Sequence, residues 1–353
     1  MSLLLPWFDR HKRDLPWRRD KTPYTTWISE IMLQQTRVEA VKGYYLRFVR
    51  ALPTAADLAA CPEDRLMKLW EGLGYYSRVR NLQKAARIVV ERYGGQLPAD
   101  YAALRALPGI GDYTAGAIAS IAFGLPVPAV DGNVLRVIAR YADDDGNIDD
   151  PAVRKRVAAS LRAVYPAERC GDLTESLMEL GATVCLPNGA PLCADCPLRS
   201  RCLAFRNGTV SDLPVRKEKP PRRIERHTVL WITDGQGVAL IRRAARGVLG
   251  GQWAPPTTEG ALSEAEVRKL LCEADCRILT LTPQPNYIHV FTHIEWHNTV
   301  YLAVVQAIPS QWRRVTADEL QREVALPAAF PMPHALKNGA SGALDALPKS
   351  KNV

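Results

Sequence analysis

The 353-residue chain has no long, unbroken apolar run. Its longest uncharged stretch, Tyr113 to Val130, reaches the length of a membrane span, but Gly124, Pro126 and Pro128 interrupt it. A buried helix followed by a loop is the expectation there. The opening MSLLLPWFDR holds only three consecutive leucines before a proline, too few for a signal-peptide core. No export signal, no membrane partner and a cytoplasmic location are therefore expected, nucleoid-associated if the source is bacterial. Internal repeats are also lacking. Acid is in deficit: 46 Lys and Arg against 37 Asp and Glu leave a net charge of +9, a surplus that suits a polyanion such as nucleic acid. With 47% apolar and 24% charged residues, the composition excludes a disordered chain, a collagen-like chain and a disulfide miniprotein. At roughly 150 residues per domain, the length predicts two domains, three at most.

Residues 1 to about 205 read as nearly all helix. Val79, Leu82, Ala86, Val89 and Tyr93 recur at three- and four-residue steps behind a candidate cap, Ser77. Asn133–Tyr141, Ala152–Val164 and Asp172–Val184 read the same way. From Asn207 to His227 the apolar period disappears. Pro214, Pro220 and Pro221 alternate there with basic residues, which predicts a linker over 207–227. Beyond it the texture is α+β, over 228–346. Thr228–Thr233 and Val238–Arg242 flank Asp234-Gly235-Gln236-Gly237, a hairpin signal. Ile294, Trp296, Val300, Leu302 and Val304 fall mostly on alternate positions. Ser263 with Glu266, and Thr316 with Glu319, match the capping box that opens a helix.

Eight cysteines in a chain without an export signal point to metal or spare thiols rather than disulfides. Cys185, Cys193, Cys196 and Cys202 are spaced C-x7-C-x2-C-x5-C. Four thiolates so close together can wrap one metal centre, and soft sulfur selects zinc or an iron–sulfur cluster. Spacing alone leaves both open. Cys61, Cys170, Cys272 and Cys276 are expected to be packing residues.

Leu107-Pro108-Gly109-Ile110-Gly111 joins two helical patterns. Gly109 and Gly111 allow a tight turn that exposes successive N–H groups at a helix start, a nest for phosphate. This is the helix–hairpin–helix form of contact with a DNA backbone. Two carboxylates also stand out. Glu30 sits among Ile28, Ile31, Met32 and Leu33, where burial would raise its pKa as an acid requires. Asp131 precedes a helix in Val130-Asp131-Gly132-Asn133, the place of a plain N-cap or of a functional carboxylate.

LPGIGDYTAGAI, AVDGNV and the four cysteines together resemble the helix–hairpin–helix DNA glycosylases of the iron–sulfur branch. TPYTTWISEIMLQQTRV and LWEGLGYYSRVRNL resemble the MutY-type adenine glycosylases specifically. The resemblance spans nearly the whole chain, although the first cysteine gap is seven residues where six is usual. It implies an all-α helix–hairpin–helix domain over 1–206 with a [4Fe–4S] loop at 185–202, then a Nudix-like domain. It implies a monofunctional enzyme, acting as a monomer on double-stranded DNA, that flips out and removes adenine mispaired with 8-oxoguanine or guanine. Glu30 would be the acid and Asp131 the carboxylate facing the sugar cation. Tyr113 stands where bifunctional glycosylase/lyases carry a lysine, so no efficient Schiff-base step is expected. Asn133 joins the catalytic group, and Trp17, Arg18 and Glu175 the adenine pocket. Gln34, Gln35, Thr36 and Tyr75 match the segment that enters the helix at the lesion.

In the C-terminal part, RGVLGGQWAPP resembles the first loop of the family's recognition domain. His289, Phe291, Thr292 and His293 resemble the loop that reads 8-oxoguanine, with Thr292 where serine is commoner; both offer a hydroxyl. Glu264, Glu266 and Glu273 lack the spacing of a working Nudix magnesium box, which argues against a nucleotide pyrophosphatase. Strand parity accounts for His289, His293 and His297 without zinc. Two further readings are a thymine or oxidised-pyrimidine glycosylase, disfavoured by Tyr113 and the C-terminal extension, and a damage-binding protein with a dead site, disfavoured by Glu30 and Asp131.

Overall fold

A computed structural model describes residues 3–218 and 220–337. The expected end of the second domain at 346 lies outside the described residues. The chain divides into two compact units, Met1–Cys61 with Ser77–Lys219, and Pro62–Tyr76 with Pro220–Val353.

The first unit is helical. In chain order it comprises α1 (Leu4–His11), α2 (Pro16–Arg19), α3 (Pro23–Leu33), α4 (Val38–Ala51) and α5 (Ala55–Ala60). The helix α6 (Glu63–Trp70) falls in the second unit. The first unit resumes with α7 (Ser77–Tyr93), α8 (Tyr101–Arg105), α9 (Asp112–Phe123), α10 (Gly132–Ala142), α11 (Pro151–Arg162), α12 (Cys170–Thr183) and α13 (Leu203–Asn207). The helices expected from periodicity at 77, 133, 152 and 172 are present within two residues at each end. On α7, Val79, Leu82, Ala86 and Val89 are buried as expected, while Tyr93 in the last turn is exposed. Pro23 at the first position and a Thr22–Thr25 capping box start α3, where Thr22 Oγ1 accepts from Thr25 N at 3.1 Å. Every residue of α3 from Thr26 to Met32 is buried, so this helix runs through the interior and not along the surface.

The turn before α9 forms as the glycines require. Gly109 has φ +79°, and a Cβ there would also meet Asn81 Cβ at 2.8 Å. Inside α9, Gly116 lies so close to the loop before Asp131 that a Cβ would stand 2.5 Å from Pro128 O. That close approach draws the start of α10 against α9. A core of Val134, Leu135, Val153, Val157, Leu173 and Leu177, among others, locks α10, α11 and α12 together.

The second unit carries a seven-stranded mixed sheet. Its strands are β1 (Arg223–Thr233), β2 (Val238–Arg242), β3 (Trp253–Ala254), β4 (Thr257–Glu259), β5 (Ile278–Val290), β6 (Ile294–Val305) and β7 (Arg313–Val315), with helices α14 (Glu264–Glu273), α15 (Ala317–Arg322) and α16 (His334–Lys337). The order is β3-β2-β1-β6-β5, with β4 paired to β1 and β7 to β2. β1 and β6 are parallel and the other pairs antiparallel. Apolar clusters cover both faces, Trp231, Trp296 and Phe330 on one and Leu230, Val267 and Leu271 on the other. The expected hairpin closes with Thr233 opposite Val238, and both expected capping boxes form.

Two differences from the sequence reading concern organisation. The expected linker is partly structured: Val215 O accepts from Ile148 N at 3.1 Å, and β1 begins at Arg223 rather than Thr228. Pairing with β6 from Arg223 opposite Ile294 onward satisfies that backbone, which its basic side chains do not advertise. Residues 62–76, read as part of the helical domain, associate with the β unit. Lys68 Nζ donates to Leu320 O at 2.6 Å, and Glu71 Oε1 accepts from Leu326 N at 2.7 Å. Partners some 250 positions away leave no local trace in the sequence.

Candidate active site

In the first unit a cavity of about 1220 Å³ is lined by Glu30, Tyr113, Asp131 and Asn133, together with Trp17, Arg18 and Glu175. Gln34, Gln35, Thr36 and Gly111 also line it; Gly109 does not. The site therefore collects residues from α2, α3, α9, α10 and α12.

Glu30 is 6% exposed on the buried helix α3. Tyr113, one residue into α9, donates its hydroxyl to Glu30 Oε2 at 2.5 Å. Burial drives the Glu30 carboxyl up to about 7, opposed by the Tyr113 hydrogen bond and reinforced by the nearby charges of Asp131 and Glu175. Tyr113 is pushed well above the usual phenol range by burial and the adjacent acid, so it stays a donor. Asp131 is the N-cap of α10. Its Oδ1 accepts from Val134 N at 2.7 Å and its Oδ2 from Asn133 Nδ2 at 2.9 Å. Burial raises its pKa, and those two hydrogen bonds offset part of the rise. Asp131 is thus both the cap of α10 and part of the cavity wall.

Trp17 is buried and packs edge-on against Tyr45, with centroids 5.6 Å apart, so it serves the core as well as the cavity wall. Arg18 donates to Glu175 Oε1 at 3.1 Å and to Glu179 Oε2 at 2.9 Å. Glu179 is 1% exposed and also receives Arg13 Nε at 2.7 Å. Its burial would raise its pKa, but the two guanidiniums outweigh that and hold it low. Sequence reading missed Arg13 and Glu179; a basic cluster at 10–21 facing two glutamates four residues apart on one helix was the available signal. It also missed Arg78, whose Nη1 donates to Ile31 O at 3.0 Å and Met32 O at 2.9 Å, closing the end of α3. Gln35, just beyond, has φ +56°, a strained conformation for a non-glycine residue.

Arg136 was missed as well. Its Nη2 donates to Asn133 Oδ1 at 2.9 Å and its Nε to Cys185 O at 2.8 Å, tying the Asp131–Asn133 corner to the first cysteine. Cys185, Cys193, Cys196 and Cys202 line one small cavity, with Arg140 Nη1 3.3 Å from Cys185 Sγ. None of the eight cysteines is in a disulfide. Cys61, Cys170 and Cys276 are buried as expected, but Cys272 is exposed, because Val267 and Leu271 take the inward face of α14.

The remaining predicted residues lie in the second unit. Tyr75 has φ +47° and is half exposed, and its hydroxyl lies 3.2 Å from Thr292 Oγ1. Phe291, Thr292 and His293 connect β5 to β6, and Phe291 packs on Trp296 with centroids 4.9 Å apart. The glutamates of α14 are occupied locally: Glu264 pairs with Arg268, Glu266 caps Ser263, and Glu273 lies near Lys269.

Residues 28–163 match the family model of HhH-GPD superfamily base excision DNA repair proteins, and residues 228–331 match that of the NUDIX domain. The adenine DNA glycosylase of Mus musculus is 35% identical over 88% of this chain and 71% of its own length. That of Homo sapiens is 35% identical over 90% and 70%. The chain belongs to the adenine DNA glycosylases. Its helical unit is also similar to a solved thermostable thymine-DNA glycosylase, at 30% identity and a TM-score of 0.54 over 58% of this chain and 94% of that one. As an adenine DNA glycosylase it is a base excision repair enzyme built from a helix–hairpin–helix region and a Nudix-like domain. Among the described residues no helix is long and apolar enough to cross a membrane.

Proposed function

We propose that this adenine DNA glycosylase removes adenine mispaired with 8-oxoguanine, or with guanine, through Glu30 as acid and Asp131 as the carboxylate beside the sugar. The observation that carries the reading is the cavity itself, which holds a buried carboxyl hydrogen-bonded to Tyr113 and a second carboxylate fixed by Val134 and Asn133. Adenine leaves poorly until protonated. An acid with a pKa near 7 gives its proton to the ring as the N-glycosidic bond breaks, and the bonding pair departs with the base. The sugar is left cationic, and the anion at Asp131 lowers the energy of that state. Glu30, now ionised, accepts a proton from the water that adds to the sugar. Arg18, Glu175 and Trp17 shape the adenine pocket. Reaching the base requires that it be flipped from the duplex. Gln34, Gln35 and Thr36 fill the opening, and the nest at Gly109–Gly111 holds backbone phosphate. No lysine replaces Tyr113, so cleavage stops at the abasic site.

The Thr292 hydroxyl, paired with Tyr75 and flanked in sequence by Phe291 and His293, reads the opposite 8-oxoguanine. The four cysteines would hold a [4Fe–4S] cluster whose contribution is structural. Their shared cavity and all-sulfur chemistry fit it. Among the described residues no group of three or more His, Cys, Asp or Glu side chains is placed to hold a metal ion. The protein is expected to act as a monomer, in the cytoplasm or on the nucleoid. Excision from duplexes carrying adenine opposite 8-oxoguanine, guanine or thymine tests the reading. Fastest release opposite 8-oxoguanine supports it, and equal release from all three defeats it.

A further inference from the structure

The helix α11 plays no part in the chemistry above, yet it forms a wall of the same cavity through Arg154, Lys155, Ala158 and Arg162. These positions fall at steps of one, three and four, a single stripe of the helix. The neighbouring stripe, Val153, Val157 and Leu161, is buried in the core, so the orientation of α11 is fixed. Its sequence, PAVRKRVAASLR, contains four basic residues and no acid. Among the described residues no carboxylate lies within 4.0 Å of Lys155 or Arg162, whereas Arg156, off the cavity stripe, is bound to Asp144 at 2.6 Å. Arg154 is braced by a bond from its Nε to Ile148 O at 3.0 Å, and its Nη2 lies 3.8 Å from Asp149 Oδ1. The small side chain of Ala158 leaves the stripe open between its basic ends.

The cavity thus has acid at its centre, in Glu30, Asp131 and Glu175, and base on this wall. An adenosine entering it carries a phosphate on each side, and those phosphates must stay outside the acidic centre. From Arg154 to Arg162 the helix rises about 12 Å, which matches about three phosphate steps of one strand at ~3.4 Å axial spacing. The geometry points to α11 as a second phosphate rail, in which Arg154, Lys155 and Arg162 hold the backbone of the strand whose adenine is extruded. This rests on the adenine-excision reading.

The test measures binding of the full-length protein to a duplex carrying 2′-fluorodeoxyadenosine opposite 8-oxoguanine, an adenosine that resists excision, across a salt series. For Lys155→Gln with Arg162→Gln the affinity should fall, and the slope of log K against log salt should shrink by about 1.8, at ~0.9 per lost phosphate contact. Both side chains are exposed, so the fold should tolerate the change. Arg156→Gln removes the same charge from the same helix off the cavity stripe and should leave the slope unchanged. An unaltered slope in the double variant, or an equal drop with Arg156→Gln, overturns the rail while the excision reading stands. Wild-type protein that binds this duplex no better than a matched one defeats the excision reading and the rail together.

Discussion

The Tyr113 hydroxyl donates to Glu30 Oε2 at 2.5 Å in a site where burial, net of that bond, leaves the carboxyl at about 7. The two effects oppose each other. Burial favours the neutral acid, and the phenol stabilises the anion left after proton transfer. Glu30 is therefore set near the middle of the range in which it can give up a proton and take one back.

Glu30→Gln should reduce single-turnover excision of adenine by ~10²-fold or more, the usual scale of general acid catalysis, while lesion binding persists. Near wild-type turnover would remove Glu30 from the mechanism. Stability gives an independent check. Because the folded pKa lies above the unfolded value of 4.5, Glu30 contributes stability that is complete below about pH 4.5 and is lost as pH rises through about 7. Glu30→Gln escapes that loss, so its melting temperature relative to wild type should rise between pH 5 and pH 8. The full effect is on the order of 3 kcal/mol. A difference independent of pH would contradict the raised pKa.

Tyr113→Phe removes the hydrogen bond that lowers the Glu30 pKa. The alkaline limb of the pH–rate profile should move upward, and the maximal rate should fall because the ionised acid loses its donor. An unshifted limb would mean that the phenol does not tune Glu30. Wild-type protein should leave no borohydride-trapped covalent adduct through an amine at this position.

Asp131→Asn should abolish excision but leave the fold intact, since asparagine caps a helix about as well as aspartate. Asp131→Ala should lose excision and, in addition, ~1 kcal/mol of stability from the missing cap. Retained excision in Asp131→Asn would show that the charge at 131 is not used.

The purified protein should be yellow-brown with iron and sulfide bound. Cys202→Ser should bleach it and destabilise the corner that Arg136 ties to Cys185. A colourless protein with stoichiometric zinc would refute the cluster.

Thr292→Ala should narrow the preference for adenine opposite 8-oxoguanine over adenine opposite guanine by ~1–3 kcal/mol, the cost of a hydrogen bond lost to the lesion. An unchanged ratio would remove Thr292 from lesion reading. A point change is more telling here than deletion from residue 228, because residues 62–76 make their partners in the β unit and would be stripped by the truncation.

Sequence alone determined the elements whose causes are local. Capping boxes, the apolar stripe of α7, the Asp234–Gly237 turn and the glycine hairpin are all settled by neighbours a few residues apart. The burial of Glu30 was legible for the same reason, since apolar residues flank it on one helix. Tertiary structure decided whatever depends on a distant partner. The Tyr113–Glu30 bond spans 83 positions and the Arg13–Glu179 pair 166, and only the close approach of α9 to the loop before Asp131 at Gly116 sets the two carboxylates in one cavity. The charged start of β1 and the attachment of residues 62–76 to the sheet follow from backbone groups finding partners far along the chain. Side-chain pattern records which face of an element is buried; it does not record what lies against that face, because a hydrogen bond or ion pair leaves no periodicity behind.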